Sequence, residues 1–445
     1  MIWLYSLILE GTALEIPHEK YQLENGLSVI LIEDHTSPQI VVDTWYQVGS
    51  YDDPKGASGF AHLFEHLMFM GTATVPNGNF DIRMEVAGGW NNASTGDDRT
   101  NYYDVGPSEI AELLLFMEAD RMVNLDITQD KLDSEREVVR QERRQNYEDA
   151  PYGKIWLEMP EMMYPSSHPY HLEGIGSHED LLAATLDTVT QFYQDWYSPS
   201  NATLCVAGDF DSAQIKEAIG KYYGAIEKKE VQKHQNFSFP TTPVVKQKTI
   251  TDSVPLPAML MMWHSPAFFA AGDAEADVLA SILAGQASSN LSKKLMYDEQ
   301  LVQDVSVFQY SRGRGSIFVV YIDALEDTDL EQIAQIVQEE LNGIASGNIE
   351  ISQKNLTAIL KNWEMNFLWG LENLLERAET LQRYNYYLGD TNYLEKDLLR
   401  YQKVTPESIQ NFISSHLTAD KVSTLIVLPE EDSEEESESD SQGKE

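Results

Sequence analysis

The sequence predicts an α+β protein made of two successive sets of mostly antiparallel strands packed with helices. Three observations carry this. Alternating runs from Tyr21 to Ile32 flank Asn25-Gly26, the strongest short hairpin signal. Apolar residues recur at helical spacing in several long stretches, such as Ile110, Leu113, Leu114 and Met117 between Ser108 and Val123. A polar stretch from Glu227 to Asn236 then divides two α/β sets of similar size. The expected layout is an N-terminal segment 1–20, a first domain 21–226, a linker 227–245, a second domain 246–429 and an acidic tail 430–445.

In chain order, the Asn-Gly hairpin is followed by a strand at Val41–Val48 and a helix that Ser58 would cap and Gly71 would end. Two strands, Gly88–Thr95 and Arg99–Val105, surround a Gly-Asp-Asp turn. Helices at about Ser108–Val123 and Asp130–Tyr147 follow, and Thr203–Phe210 with Ser212–Ile226 closes the first set as strand and helix. The second set reads as strands at Lys246–Thr251 and Ala258–His264, a helix at Asp273–Leu283, and a hairpin of Val305–Val307 with Ile317–Tyr321. Helices at about Asp329–Ile344, Ser352–Trp369, Leu371–Tyr387 and Pro406–His416 precede a last strand, Val422–Leu428.

Composition narrows the function. The 445 residues, 42% of them hydrophobic, suffice for more than one core. No window approaches 18 apolar residues, so no membrane span is expected. A formal net charge of −41 argues against nucleic acid as a partner, because phosphate would be repelled. It leaves a saline habitat or cationic ligands. Glu430 to Asp440 is a low-complexity acidic run expected to be disordered and solubilising. The apolar start Met1–Leu9 lacks a basic flank. Taken as a truncated signal peptide it implies a periplasmic or secreted protein, and taken as a first strand it implies a cytoplasmic one. The one cysteine, Cys205, excludes an internal disulfide framework and is expected to be a buried strand residue.

The chemistry concentrates in Gly59-Phe60-Ala61-His62-Leu63-Phe64-Glu65-His66-Leu67. His62 and His66, four apart, lie on one helix face about 5–6 Å apart, close enough for both rings to reach one ion. Glu65 projects beside them. This is the inverted HxxEH pattern, in which two histidines bind zinc and the glutamate activates water. A solvated face can carry such spacing by chance, but Phe60, Leu63, Phe64, Leu67, Met68, Phe69 and Met70 make this helix apolar nearly all round, hence buried. Buried histidines and a carboxylate need partners, and one shared ion serves all three. A third protein ligand would come from the helix at about Asp130–Tyr147, which puts Glu135, Val138, Val139, Glu142 and Asn146 on one inward side. Glutamates in so charged a helix are mostly solvated. Glu142 is the choice to complete the site, with Glu135, two turns away, orienting a ligating imidazole, although the sequence alone does not separate the roles.

These stretches, with Glu135 and Glu142 inside Arg136-Glu137-Val138-Val139-Arg140-Gln141-Glu142, resemble the pitrilysin/insulinase family of inverted zincins, in particular its bacterial branch similar to mitochondrial processing peptidase. The resemblance implies zinc ligands His62, His66 and Glu142, a general base Glu65, a supporting carboxylate Glu135, and a substrate-binding strand including Asn91, Asn92, Ala93, Ser94 and Thr95. It also implies two homologous α/β domains forming half of a clamshell that a second such chain closes around unfolded peptides. No histidine occurs between His264 and His416, so one zinc per chain follows. The family's Arg and Tyr that bind the substrate carbonyl align here with Met296 and Gln303, neither of which supplies a cationic or phenolic donor. The expected role is thus the zinc-bearing subunit of a heterodimer whose homologous partner supplies the Arg/Tyr pair, or otherwise a homodimer. Tyr297, Arg312 and Arg314 are local substitutes to consider, although the arginines sit in a Gly-rich turn.

The expected reaction is zinc-assisted peptide hydrolysis with Glu65 as proton carrier, on a peptide added as a strand near Asn91 to Thr95. The bulk negative charge would favour basic peptides. The rival is a non-catalytic peptide-binding or scaffold subunit that keeps the fold. A serine or cysteine hydrolase finds no support, since GxSxG is absent.

Overall fold

The computed structural model describes residues 14–430, so the apolar start and all of the acidic tail beyond Glu430 lie outside the described residues. The first half runs β1 (Glu19–Gln22), β2 (Ser28–Glu33), β3 (Gln39–Tyr46), α1 (Phe60–Leu67), α2 (Asn79–Val86), β4 (Trp90–Thr95), β5 (Thr100–Pro107), α3 (Ala111–Val123), α4 (Gln129–Arg143), α5 (Lys154–Met163), α6 (His178–Ala183), α7 (Leu186–Trp196), β6 (Ala202–Gly208) and α8 (Ser212–Tyr223). Its six strands are ordered β1-β2-β6-β3-β5-β4. The Asn25-Gly26 turn joins β1 to β2 as expected, with Tyr21 opposite Val29.

From Gly224 to Lys246 the chain has neither helix nor strand. The second half follows as β7 (Gln247–Asp252), β8 (Ala258–Ser265), α9 (Asp273–Leu283), β9 (Val302–Tyr310), β10 (Ser316–Ala324), α10 (Leu330–Ala345), α11 (Gln353–Gly370), α12 (Leu374–Leu388), α13 (Leu394–Gln402), α14 (Pro406–His416) and β11 (Ser423–Pro429). Its sheet order is β7-β11-β8-β10-β9.

The two sheets repeat one topology. Strands β2 to β6 and β7 to β11 match one for one, in chain order and in position. β2 with β6 and β7 with β11 are the parallel pairs, and all other pairings are antiparallel. Helix α9 occupies the place in the second repeat that α1 occupies in the first. It carries no histidine, and two of its three acids are engaged: Asp273 pairs with Arg400 at 2.7 Å and Asp277 accepts from Tyr401 at 2.6 Å.

The halves also cover each other. One face of each sheet packs on its own helices. The other face of the first sheet, through Ile30, Ile32, Val41, Cys205 and Ala207, is covered by Ala378, Leu381 and Tyr384 of α12. Reciprocally, Ile155, Met159, Met162 and Met163 of α5 cover Leu260, Met262, Ile317, Val319 and Val427 of the second sheet. Burial on both faces explains the unbroken apolar runs in β2 and β6, and Cys205 is fully buried in β6. Among the described residues no helix is long and apolar enough to cross a membrane.

Five helices have no counterpart in the sequence expectations: α2, α5, α6, α7 and α13. Helix α2 leaves Ile82 and Val86 exposed, so it lacks the apolar stripe that periodicity detects. Helix α5 contains Pro160, which reads as a breaker.

Candidate metal centre

Helix α1 is built into the first core by Phe60, Ala61, Leu63, Phe64 and Leu67, all buried. Its start differs from expectation. Ser58 is not the cap; its hydroxyl donates to Asp180 at 2.5 Å. Gly59 holds the cap position at φ +85°, and Asp53 accepts from the amides of Gly59 (2.7 Å) and Ala61 (2.8 Å). The chain there runs so close to Gly176 that a Cβ on Gly176 would lie 2.3 Å from the Ser58 carbonyl oxygen. The helix ends at Leu67, earlier than expected, and the chain turns to Gly71 at φ +87°.

Helix α4 packs against α1. Its inward side is narrower than expected, for Val139 is buried while Val138 is 46% exposed. Glu142 Oε2 stands 3.4 Å from His66 Nε2 and 3.7 Å from His62 Nε2. Glu135 Oε2 lies 3.4 Å from the other nitrogen of the same ring, His66 Nδ1. Ligand atoms of His62, His66 and Glu142 all lie within 4.8 Å of one another. Separations of 3.4–3.7 Å suit donors sharing an ion with bonds of about 2.0–2.2 Å in tetrahedral array, and two imidazoles with a carboxylate are a donor set of catalytic zinc sites. The residues present therefore fit the metal. Neither histidine is fully buried, their side chains being 16% and 21% exposed, so solvent reaches the site.

The electrostatics separate the two rings. Burial, reinforced by the neighbouring His66, holds His62 down at about 4. Burial opposes charge on His66 too, but hydrogen bonding to Glu135 and Glu142 outweighs it and lifts that ring to about 9. His66 lowers the pKa of Glu142, chiefly through their hydrogen bond. Burial raises that of Glu65, against the opposing hydrogen bond from Thr95.

Thr95 links the helix to the sheet. Its hydroxyl donates to Glu65 Oε2 at 2.5 Å. Asn91, Asn92, Ala93, Ser94 and Thr95 form most of β4, the terminal strand of its sheet. The Gly96 amide bonds the Arg99 carbonyl across the turn. Antiparallel alternation from that pair, in the register Thr95 to Thr100, turns the amides and carbonyls of Asn91, Ala93 and Thr95 to the open edge. The Ala93 amide is met only by the Asn92 side chain, at 2.8 Å.

Arg312 and Arg314 do not serve as free cationic donors. Arg312 is 2% exposed and its Nε pairs with Asp97 at 2.8 Å, while Arg314 pairs with Asp98. Both bind the turn that follows β4. Met296 is half-buried, and Gln303 and Tyr297 are exposed. Sequence reasoning missed Asp53, the Thr95–Glu65 bond and the use of Asp97 and Asp98. No local motif marks a loop aspartate as a cap for a helix six residues on.

A sequence profile described as insulinase (peptidase family M16) matches residues 28–160, and one described as peptidase M16 inactive domain matches residues 183–362. The zinc protease PqqE of Helicobacter pylori is 28% identical over 387 residues, 84% of this chain and 86% of that protein. An uncharacterized zinc protease of Bacillus subtilis, YmxG, is 23% identical over 416 residues, 92% of this chain and 98% of that one. The crystal structure of a protease from Helicobacter pylori superposes with a TM-score of 0.86 at 25% identity, covering 94% of this chain and 100% of that one.

Proposed function

Since this chain belongs to the peptidase M16 (pitrilysin/insulinase) family, we propose that it is a zinc-dependent endopeptidase for unfolded peptides. The observation that carries the reading is the convergence of His62, His66 and Glu142 beside Glu65, at one end of an open sheet edge. His62, His66 and Glu142 would hold the metal. Zinc, when bound, supplies a Lewis acid that polarises a carbonyl and acidifies a water.

Each remaining role falls to the chain. Glu135 faces Nδ1 of His66 and so keeps Nε2 turned towards Glu142. Thr95 holds Glu65 by Oε2, leaving Oε1 for a proton. Burial makes that carboxylate a better base than a solvated one. Glu65 takes a proton from the attacking water as the C–O bond forms, then passes it to the amide nitrogen as the C–N bond breaks. A peptide laid along β4 bonds the amides and carbonyls of Asn91, Ala93 and Thr95, so recognition rests on main chain and tolerates varied sequences.

The proposal includes a second, homologous subunit that brings an Arg/Tyr pair, or failing that a second copy of this chain. Loss of one oxyanion donor typically costs about 10²–10³ in rate, and Met296 and Gln303 supply neither a cationic nor a phenolic one. A non-catalytic peptide-holding subunit is the second reading, favoured by those same two residues. Hydrolysis of a quenched peptide by wild type and Glu65→Gln, each with and without the homologous subunit, separates the two. The proposal expects Glu65→Gln to keep its zinc and lose about 10²–10⁴ in rate. Equal rates would overturn it.

A further inference from the structure

Strands β4 and β9 are equivalents in the two repeats, as are β5 and β10, so the turns that join them are equivalents too. The two turns meet, and Asp97 and Asp98 of the first face Arg312 and Arg314 of the second. Arg312 Nε pairs with Asp97 at 2.8 Å, Arg314 pairs with Asp98, and the Gly313 amide donates to Asp98 Oδ2 at 2.7 Å. Tyr170 donates its hydroxyl to Asp98 Oδ1 at 2.7 Å, and Tyr386 of α12 donates to the Asp98 carbonyl. Asp98 and Arg312 are 3% and 2% exposed, so the clasp is closed to solvent. In such surroundings a lost partner leaves a charge uncompensated.

Two short routes lead from the clasp to the metal centre. Thr95, next to Gly96, holds Glu65 by its hydroxyl. On the other side, the Ser50 and Tyr51 amides donate to the carbonyls of Gly96 (3.2 Å) and Asp97 (2.9 Å). A Cβ on Gly49 would lie 2.5 Å from both of those carbonyl oxygens, so this loop runs hard against the turn. The same loop continues to Asp53, which caps the histidine helix. Arg314 touches both parts, because its guanidinium also lies over the Tyr51 ring, 3.9 Å from the centroid. At Gly313 the approach is so close that a Cβ would meet Asp98 Oδ2 at 2.9 Å and the Tyr387 ring at 2.7 Å.

We propose that the Arg312-Gly313-Arg314 turn of the second half is a positioning element for the reaction. Through the Asp97-Asp98 turn it sets where Thr95 holds Glu65 and where α1 begins, with Arg314 and Asp98 as positioning residues. This rests on the peptidase reading and gives a task to the half that supplies none of the proposed zinc ligands.

The test compares zinc-loaded wild type, Arg314→Met, Arg314→Lys and Gly313→Ala, alone and with the homologous subunit. It reads kcat and KM for a quenched peptide, and amide hydrogen exchange by mass spectrometry. Rates are taken per zinc-loaded chain, so that lost stability or metal is not counted as lost catalysis. Arg314→Met should lower kcat on the order of tenfold and change KM by less than about twofold, since a small displacement of a reacting group is costly. Exchange should quicken in β4 and α1 and stay unchanged in α8. Arg314→Lys should restore most of the rate, because Arg314 meets Asp98 through one nitrogen. Gly313→Ala keeps every charge and should lower kcat likewise; it carries the test if Arg314→Met does not fold. Wild-type kcat in Arg314→Met and Gly313→Ala, a loss that Arg314→Lys does not recover, or a loss without quicker exchange in β4 and α1 overturns the positioning role and leaves the peptidase reading standing. No hydrolysis by wild type under either condition sinks both.

Discussion

Glu135 and Glu142 are two turns apart on one helix, yet they meet different nitrogens of the His66 imidazole. Glu142 faces Nε2 of both rings and Glu135 faces only Nδ1 of His66. Spacing placed both carboxylates on one side of α4 but could not tell which nitrogen each would meet, since that depends on how α4 crosses α1. Asp53 escaped notice for a related reason: its contact is made by a loop fold, not by periodicity. The same scale yields a pH prediction. Burial, partly offset by the Tyr401 hydrogen bond, lifts Asp277 from 3.8 to about 6. The folded chain therefore keeps this proton to higher pH than the unfolded chain, and stability falls as pH rises from about 4 to about 6. The penalty at neutral pH is up to about 3 kcal/mol. Asp277→Asn should raise Tm at pH 8 and have little effect near pH 4, as thermal melts across that range will show. An equal change at both ends would contradict this origin.

At the scale of elements, hairpins and strands were more legible than helices. Asn25-Gly26 and Gly96-Asp97-Asp98 mark their turns by residue type, and the sequence reads β4 as a strand past the histidine helix. That β4 ends its sheet follows only from the pairing order. Helices with a continuous stripe, such as α9, which matches its expected span Asp273–Leu283, were read from periodicity. Of those missed, α5 carries a proline and α2 an exposed apolar side, whereas α7 and α13 bury the stripes Val189, Phe192, Tyr193, Trp196 and Leu394, Leu398, Tyr401, which periodicity could have shown. The open edge makes its own prediction. Ala93→Pro removes an amide that faces outward and is met only by its neighbour's side chain, a place where an edge strand tolerates proline. The variant should fold and keep zinc, while KM for peptides rises about tenfold, the equivalent of one lost hydrogen bond of roughly 1.5 kcal/mol. Unchanged KM would argue that peptides do not add along β4.

For the whole molecule, the duplication was implied by the family resemblance, with a linker and two similar sets of elements compatible with it, but the mutual covering was not foreseen. Helices α5 and α12 each leave their own half to seal the opposite sheet, and no local signal says which sheet a helix will choose. Residues 14–226 expressed alone would expose Ile30, Ile32 and Val41 on one sheet face. They should aggregate or bind a hydrophobic dye, whereas the full chain melts in one transition; a soluble, well-folded half would contradict the interlock. The topology also bears on how many metals one chain would hold, because α9 stands where α1 stands, carries no histidine and has Asp273 and Asp277 bound to Arg400 and Tyr401. Zinc per chain, measured by mass spectrometry of the elements after exhaustive dialysis, tests this most directly. The account predicts one zinc in wild type and in Glu65→Gln, and close to none in Glu142→Ala or His66→Ala of unchanged fold. Full zinc in Glu142→Ala, or two zincs in wild type, would contradict it.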